Sequence, residues 1–160
     1  MQFFLSTEYQ PNCARLFEDY KNKIEQLIPF AVIEHIGSSA IPNAISKGDL
    51  DIYIEVSAKD LVLTIEQLKH LNFKEKLDTL RTQELCMLES SEHDVALQIV
   101  VSGSEFKNFL TFRDQLRHHP DLVQQYNQLK QRCSGFSPQQ YRELKSIFIE
   151  NVLNQEPSYK

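Results

Sequence analysis

Apolar and polar residues alternate strictly through Leu50–Val56. Leu50, Ile52, Ile54 and Val56 fall on one side of an extended chain, and Asp49, Asp51, Tyr53 and Glu55 on the other. Successive side chains of a strand point to opposite faces, so this spacing predicts a strand with one buried face and one carboxylate-bearing face. A shorter apolar run, Val32–Ile36, precedes it. Val95–Val101 repeats the alternation, with Val95, Leu97 and Ile99 on the core side and Asp94, Ala96 and Gln98 on the other. Residues 73–77 and 80–88 read as further strands of a meander that ends at 95–101, broken by Asp78 and by Glu89-Ser90-Ser91-Glu92.

The rest of the chain has a helical period. Leu16, Phe17, Tyr20, Ile24 and Leu27 give residues 11–27 an apolar stripe, with Pro11 suited to a first turn and Pro29 beyond the end. Leu61, Ile65, Leu68 and Leu71 mark a second helix behind the capping signal of Ser57 and Asp60. Three more helices follow. One carries Phe106, Phe109, Leu110, Arg113 and Leu116 and stops before Pro120; one covers 121–132; one opens at Ser137-Pro138, with Gln140 positioned for a capping box. Helical spacing assigns Phe106, Phe109 and Phe112 to the core rather than to a platform for bases. The expected architecture is α/β (α+β): a mixed or antiparallel sheet with flanking helices over about residues 11–101, then a helical cap over about 104–154. A chain of 160 residues fits one such domain.

Composition narrows the classes. No apolar run approaches the roughly 18 residues of a membrane span, and the first five residues are too short for a signal peptide. Cys13, Cys86 and Cys133 lack metal-ligand spacing and read as reduced thiols of a cytoplasmic protein. A formal charge of −5 argues against a general nucleic-acid binder, since backbone binding needs clustered Lys and Arg. His118 and His119 are adjacent and diverge on a helix, so they make no metal site.

The candidate chemistry lies between two strands. Residues 37–48 hold two of the four glycines and form a loop that opens with Gly37-Ser38-Ser39. Glycine admits close approach of a phosphate, and hydroxyls and amides bond its oxygens. Asp49 and Asp51, adjacent on one strand face, repel each other unless a cation lies between them. Such a pair suits Mg²⁺ that also holds substrate phosphates. Asp94, opening a neighbouring strand, is the candidate third carboxylate. Lys47 lies in the loop beside the aspartates, and Arg113, Arg117, Lys130 and Lys145 lie on the C-terminal helices.

Gly37-Ser38, a spacer, then Asp49-Leu50-Asp51-Ile52 resembles the signature of the DNA polymerase beta-like nucleotidyltransferases. Glu34 to Pro42 with Lys47 to Asp51, Gly103-Ser104 ahead of Phe112 to Arg117, Tyr126 to Lys130, and Tyr141 to Ile149 look like the GrpB family within that superfamily. The resemblance spans about residues 11–153. It implies a nucleotidyltransferase-like core, Mg²⁺ on Asp49, Asp51 and Asp94, and phosphate binding by Gly37, Ser38, Ser39, Lys47, Arg113 and Lys145. It also implies a nucleoside triphosphate and a small acceptor as partners. Related domains are fused to dephospho-coenzyme A kinase in some bacteria. Many family members carry a His-hydrophobic-His pair where this chain has Ala96-Leu97-Gln98, and only the second of the two aspartates. The readings left open are a nucleotidyltransferase, a nucleotide- or coenzyme-binding module that keeps the fold without transfer, and an interaction protein.

Overall fold

A computed structural model describes residues 2–155 of the chain. Five strands form one mixed sheet: β1 (Val32–Ile36), β2 (Leu50–Val56), β3 (Phe73–Glu75), β4 (Leu85–Ser90) and β5 (Val95–Val101), in spatial order β1-β2-β5-β4-β3. Only β2 and β5 run parallel, and the chain between them supplies the crossover that a parallel pair requires. The register sets Asp51 opposite Ala96 and Tyr53 opposite Gln98.

The alternation in β2 is realised. Leu50, Ile52, Ile54 and Val56 are buried with Val95, Leu97, Ile99 and Val101 of β5 beneath the apolar stripe of α1 (Ser6–Leu27), and α2 (Leu61–Leu68) packs on the same face. The opposite face holds a smaller apolar cluster of Ile36, Tyr53, Leu85 and Val100, partly covered by Phe106, Phe109 and Leu110. Beyond it α3 (Asn108–His118), α4 (Pro120–Arg132) and α5 (Pro138–Asn154) pack together around Leu116, Tyr126, Tyr141 and Val152. The aspartate-bearing sheet face and this helical cap enclose a cleft.

Several boundaries differ from the sequence expectation for local reasons. Helix α1 begins at Ser6, so Pro11 lies inside it rather than in its first turn. Pro11 has no N–H for the Thr7 carbonyl, but Thr7 is exposed and water can replace that bond. Glu8 stabilises the new start, its Oε1 accepting the Leu5 N–H at 2.7 Å. Strand β4 starts at Leu85 instead of 80, and β3 ends at Glu75 instead of 77. Leu77 (87% exposed) and Leu80 lie in the loop between them, and the turn closes with Thr82 N–H on the Leu85 carbonyl and Glu84 N–H on Thr82 Oγ1. Ser57 does not cap α2 directly: its Oγ bonds the Asp60 carboxylate at 2.8 Å, and one 3₁₀ turn, Ala58–Asp60, comes first. The capping box of α5 forms as expected, Gln140 N–H on Ser137 Oγ and Ser137 N–H on Gln140 Oε1. Cys13, Cys86 and Cys133 are free and buried. Among the described residues no helix is long and apolar enough to cross a membrane.

Candidate active site

The floor of the cleft is Asp51. The chain leaves β1 at Ile36 and turns at Gly37, with φ +75° and ψ −177°, a region essentially restricted to glycine. That turn brings the backbone so close to β2 that a Cβ on Gly37 would stand 2.5 Å from Asp51 Oδ2. Asp51 therefore lies directly beneath the Gly-Ser turn. Asp49 is held beside it by Ser46, whose Oγ donates to Asp49 Oδ1 at 3.2 Å and accepts the Gly48 N–H at 3.0 Å.

From β5, Gln98 Nε2 donates to Asp51 Oδ1 at 3.3 Å. Burial, then the Asp49 charge, lifts the Asp51 carboxyl to about 6, with Lys145 and the Gln98 hydrogen bond pulling the other way. An anionic pair under such mutual repulsion is a receptive site for a divalent cation. Two adjacent carboxylates, with phosphate oxygens and water filling the other positions, are the donor set that Mg²⁺ takes in nucleotide sites. The residues present fit that ion.

Three lysines face the aspartates from the cleft walls. Lys130 of α4 is only 2% exposed; its Nζ donates to Ser38 Oγ at 2.6 Å and to the Ile45 carbonyl, and lies 4.1 Å from the Tyr126 ring centroid. Burial and the neighbouring Lys145 lower its ammonium to about 7, against the pull of Asp49 and Asp51. Lys145 of α5 is held above the ordinary range by Tyr126 and Tyr141, then by Asp51 and Asp49, against the opposing effect of burial. Lys47 completes the set from the loop. A cavity of about 460 Å³ opens over these groups. Its size suits a small-molecule ligand.

Of the expected site residues, Gly37, Ser38, Lys47, Asp49, Asp51 and Lys145 line this cleft. Three do not. Ser39 faces the other way and its Oγ bonds His35 Nε2 at 2.7 Å, because the 3₁₀ turn Ser38–Ala40 sends successive side chains to different sides. Arg113 is 7% exposed and fully engaged, with Nη1 on Glu34 at 2.7 Å and on the His35 carbonyl at 3.0 Å, and Nε on Asp114 at 2.9 Å. It ties α3 to β1 behind the cleft wall.

Asp94 is exposed and lies one residue before β5, so it stands next to Asp49 rather than beside Asp51; its carbonyl accepts the Leu50 N–H. Partial desolvation and the Asp49 charge raise its carboxyl, opposed by Lys47 and Lys76. Among the described residues, no three His, Cys, Asp or Glu side chains gather into a metal-holding group. His35 stacks on Phe17 with centroids 4.8 Å apart, and burial, then Arg117 and Arg113, lowers its imidazole to about 4.

The sequence reading set Gln98 on the cleft-facing side of its strand but gave it no role, passed over Lys130 in favour of Arg113 and Lys145, missed Ser46, Tyr126 and Tyr141, and assigned Phe106, Phe109 and Phe112 wholly to the core. All three phenylalanines line the cleft. Lys130 had a usable signal. It falls on the buried stripe of α4 with Leu122, Tyr126 and Leu129, and a lysine there is rarely idle. Tyr126/Lys130 and Tyr141/Lys145 are the same pair, four residues apart, on two packed helices.

The assignment of Arg113 is testable. Arg113→Met is expected to cost about 1–3 kcal/mol in a denaturant titration, since Glu34 is left unpaired but remains 40% exposed to water. Nucleotide affinity should stay within about twofold of wild type, because the hydrogen bonds of Arg113 go to Glu34, Asp114 and the His35 carbonyl and none to a cleft-lining group. A tenfold loss in a folded variant would return Arg113 to the cleft.

Comparison with known proteins bears on the fold and the family. The chain is 56% identical over 156 residues to a UPF0157 protein of Vibrio cholerae, covering 97% of this chain and 83% of that one. Its fold matches the crystal structure of the conserved protein GrpB from Enterococcus faecalis with a TM-score of 0.77 at 21% identity, over 95% of this chain and 94% of that one. Terminal uridylyl transferase 4 from Trypanosoma brucei, solved with bound dUTP, matches over 71% of this chain and 41% of its own, with a TM-score of 0.50 at 12% identity. That likeness is one of fold alone: the chain has a nucleotidyltransferase-like fold. The GrpB protein family model matches residues 6–155, and on that extent, with the Vibrio relative beside it, the chain belongs to the GrpB family.

Proposed function

We propose that the cleft binds a nucleoside triphosphate as its Mg²⁺ complex and transfers a nucleotidyl group from it to a small acceptor. The observation that carries this reading is the seating of Asp51 under the Gly37 turn, with Asp49 beside it and three lysines on the same walls. The turn's backbone and the Ser38 hydroxyl offer donors to phosphate oxygens, and Lys47, Lys130 and Lys145 set positive charge against the polyphosphate. Lys130 also fixes the role of Ser38. In its charged form, which a polyphosphate would favour, Lys130 can only donate, so it occupies an Oγ lone pair and leaves the hydroxyl proton free for a ligand oxygen.

Asp49 and Asp51 would hold the ion. When bound, it offsets phosphate charge and polarises the α-phosphate for in-line displacement. In the transfer, the acceptor oxygen bonds to the α-phosphorus as its bond to the pyrophosphate oxygen breaks. Pyrophosphate leaves, and the acceptor's proton passes to water.

A second reading, binding without transfer, has one observation in its favour. An amide, Gln98, rather than a third carboxylate reaches Asp51 from β5, and Asp94 is exposed outside the cleft.

A thermal-shift screen of the four nucleoside triphosphates, with and without Mg²⁺, separates these readings when paired with an α-³²P transfer assay on a panel of small alcohols and phosphates. At a ligand concentration 100 times Kd, stabilisation of about 2.7 kcal/mol is expected for the preferred nucleotide with Mg²⁺. Labelled product supports transfer. Stabilisation without product for any acceptor supports the binding module, and no stabilisation by any nucleotide defeats both.

A further inference from the structure

The cleft is polar at one end and apolar at the other. Around Asp49 and Asp51 stand the three lysines and Ser38. Toward β4 and the start of α3 the walls include Leu85, Met87, Phe106 and Phe109, and Asn108 supplies a polar group among them. Strand register sets how far apart the two ends lie. Met87 pairs with Gln98, and Gln98 Nε2 reaches Asp51 on the strand beyond, so Met87 stands two strand spacings from Asp51, about 10 Å across the sheet.

Asn108 opens α3 and is exposed, and among the described residues nothing bonds its side-chain amide. That amide carries donors and an acceptor side by side, which water satisfies. A wholly apolar ligand covering it would take those bonds away at a cost. An anion would find its cations at the other end of the cleft. The apolar end therefore asks for an uncharged group with apolar faces and a polar edge. Two phenylalanine rings and a thioether favour aromatic faces. A nucleobase has this form: two π faces, and an edge on which a donor stands beside an acceptor.

We propose that the apolar end is the nucleobase subsite and that Asn108 reads the polar edge of the base. This rests on the nucleotide-binding reading above and gives the nucleotide an orientation. Its phosphates lie among the lysines, its base lies against Met87, Phe106 and Phe109, and the ribose bridges the distance between. One molecule thus matches both ends of the cleft. The phenylalanines that helical spacing assigns to the core become walls for the base. Asn108 is a specificity residue: a leucine of similar size in its place would keep the apolar contact and lose the hydrogen bonds.

The test is calorimetric titration of the full chain in Mg²⁺ with inorganic tripolyphosphate and with the non-cleavable α,β-methylene forms of ATP, GTP, CTP and UTP. At least one nucleotide is expected to bind about tenfold or more tightly than tripolyphosphate, the difference being the contribution of the nucleoside. Asn108→Leu should weaken that nucleotide about fivefold or more and narrow the spread among the four bases. Tripolyphosphate affinity of the variant should stay within about twofold of wild type.

Binding of tripolyphosphate by the wild-type chain with no gain from any base would overturn the proposal alone, and this arm needs no variant. An Asn108→Leu chain that binds all four nucleotides as wild type does, or that loses tripolyphosphate as strongly as nucleotide, would overturn it as well. Failure of tripolyphosphate and every nucleotide to bind would instead strike the underlying reading, and the proposal with it.

Discussion

Asp51→Asn is expected to make the free protein more stable at pH 7 while abolishing its Mg²⁺-dependent nucleotide binding. The Asp51 carboxyl is raised from its ordinary 3.8 to about 6 by burial and by the Asp49 charge. Between pH 4 and 6 the folded state therefore binds a proton that the unfolded state has released. Stability falls as pH rises through that window, and the full penalty is present at pH 7. An asparagine keeps the shape and can still accept the Gln98 amide, but it carries no charge to desolvate. The gain should be about 1–3 kcal/mol at pH 7 and close to zero at pH 4, where the wild-type carboxyl is already protonated. Thermal melts at the two pH values check the sign. If Asp51→Asn were less stable than wild type at pH 7, the carboxylate would be a structural asset, and its role as a strained ion ligand would be lost. A stability gain joined to a functional loss is the expected pattern for a residue kept for its chemistry.

Gly37→Ala should lose both stability and binding. The positive φ of Gly37, with ψ near 180°, costs a non-glycine residue about 1–3 kcal/mol. The new Cβ would also meet Asp51 Oδ2 at 2.5 Å, and such overpacking adds about 1–3 kcal/mol more. The total, roughly 2–5 kcal/mol, should appear as a fall in the denaturant midpoint without a change in slope. Either the turn or the carboxylate must move, so Mg²⁺-dependent nucleotide affinity falls too. By contrast, Gly103→Ala should cost only the backbone term, since a Cβ there meets nothing within 4 Å. Equal losses at the two glycines would show that the close approach to Asp51 is of no consequence.

Periodicity carried most of the fold into view. The alternation of β2 and β5 and the stripes of α1, α4 and α5 are consequences of which faces are buried, and burial is what a hydrophobic pattern records. It failed where apolar residues are exposed. Leu77 and Leu80 read as strand positions, but the hydrogen bonds of Thr82 and Glu84 close a turn there and leave both leucines outside the sheet. The pattern also cannot distinguish a phenylalanine that faces the core from one that faces a cleft, because both environments are apolar. That ambiguity hid the cleft roles of Phe106, Phe109 and Phe112.

The candidate site was legible where it is local and obscure where it is not. Gly37, Ser38, Asp49 and Asp51 come from one strand–loop–strand unit, and their spacing alone assembles them. Lys130 and Gln98 reach the same place from α4 and β5, brought there by packing and by strand register. Asp94 shows the converse. Two residues of sequence separate it from the position opposite Asp51, and Ala96 occupies that position instead. Arg113 shows that a cation's partner is decided in three dimensions: Glu34 lies 79 residues away in sequence and 2.7 Å away in space.

The central claim is that Asp49 and Asp51 make this cleft a Mg²⁺-dependent nucleotide site. Calorimetric titration of the wild-type chain with α,β-methylene-ATP, once in Mg²⁺ and once in EDTA, tests it most directly. One-to-one binding in Mg²⁺, weakened by two orders of magnitude or about 2.7 kcal/mol in EDTA, is the expected result. Equal affinity in the two buffers, or no binding in either, would contradict it.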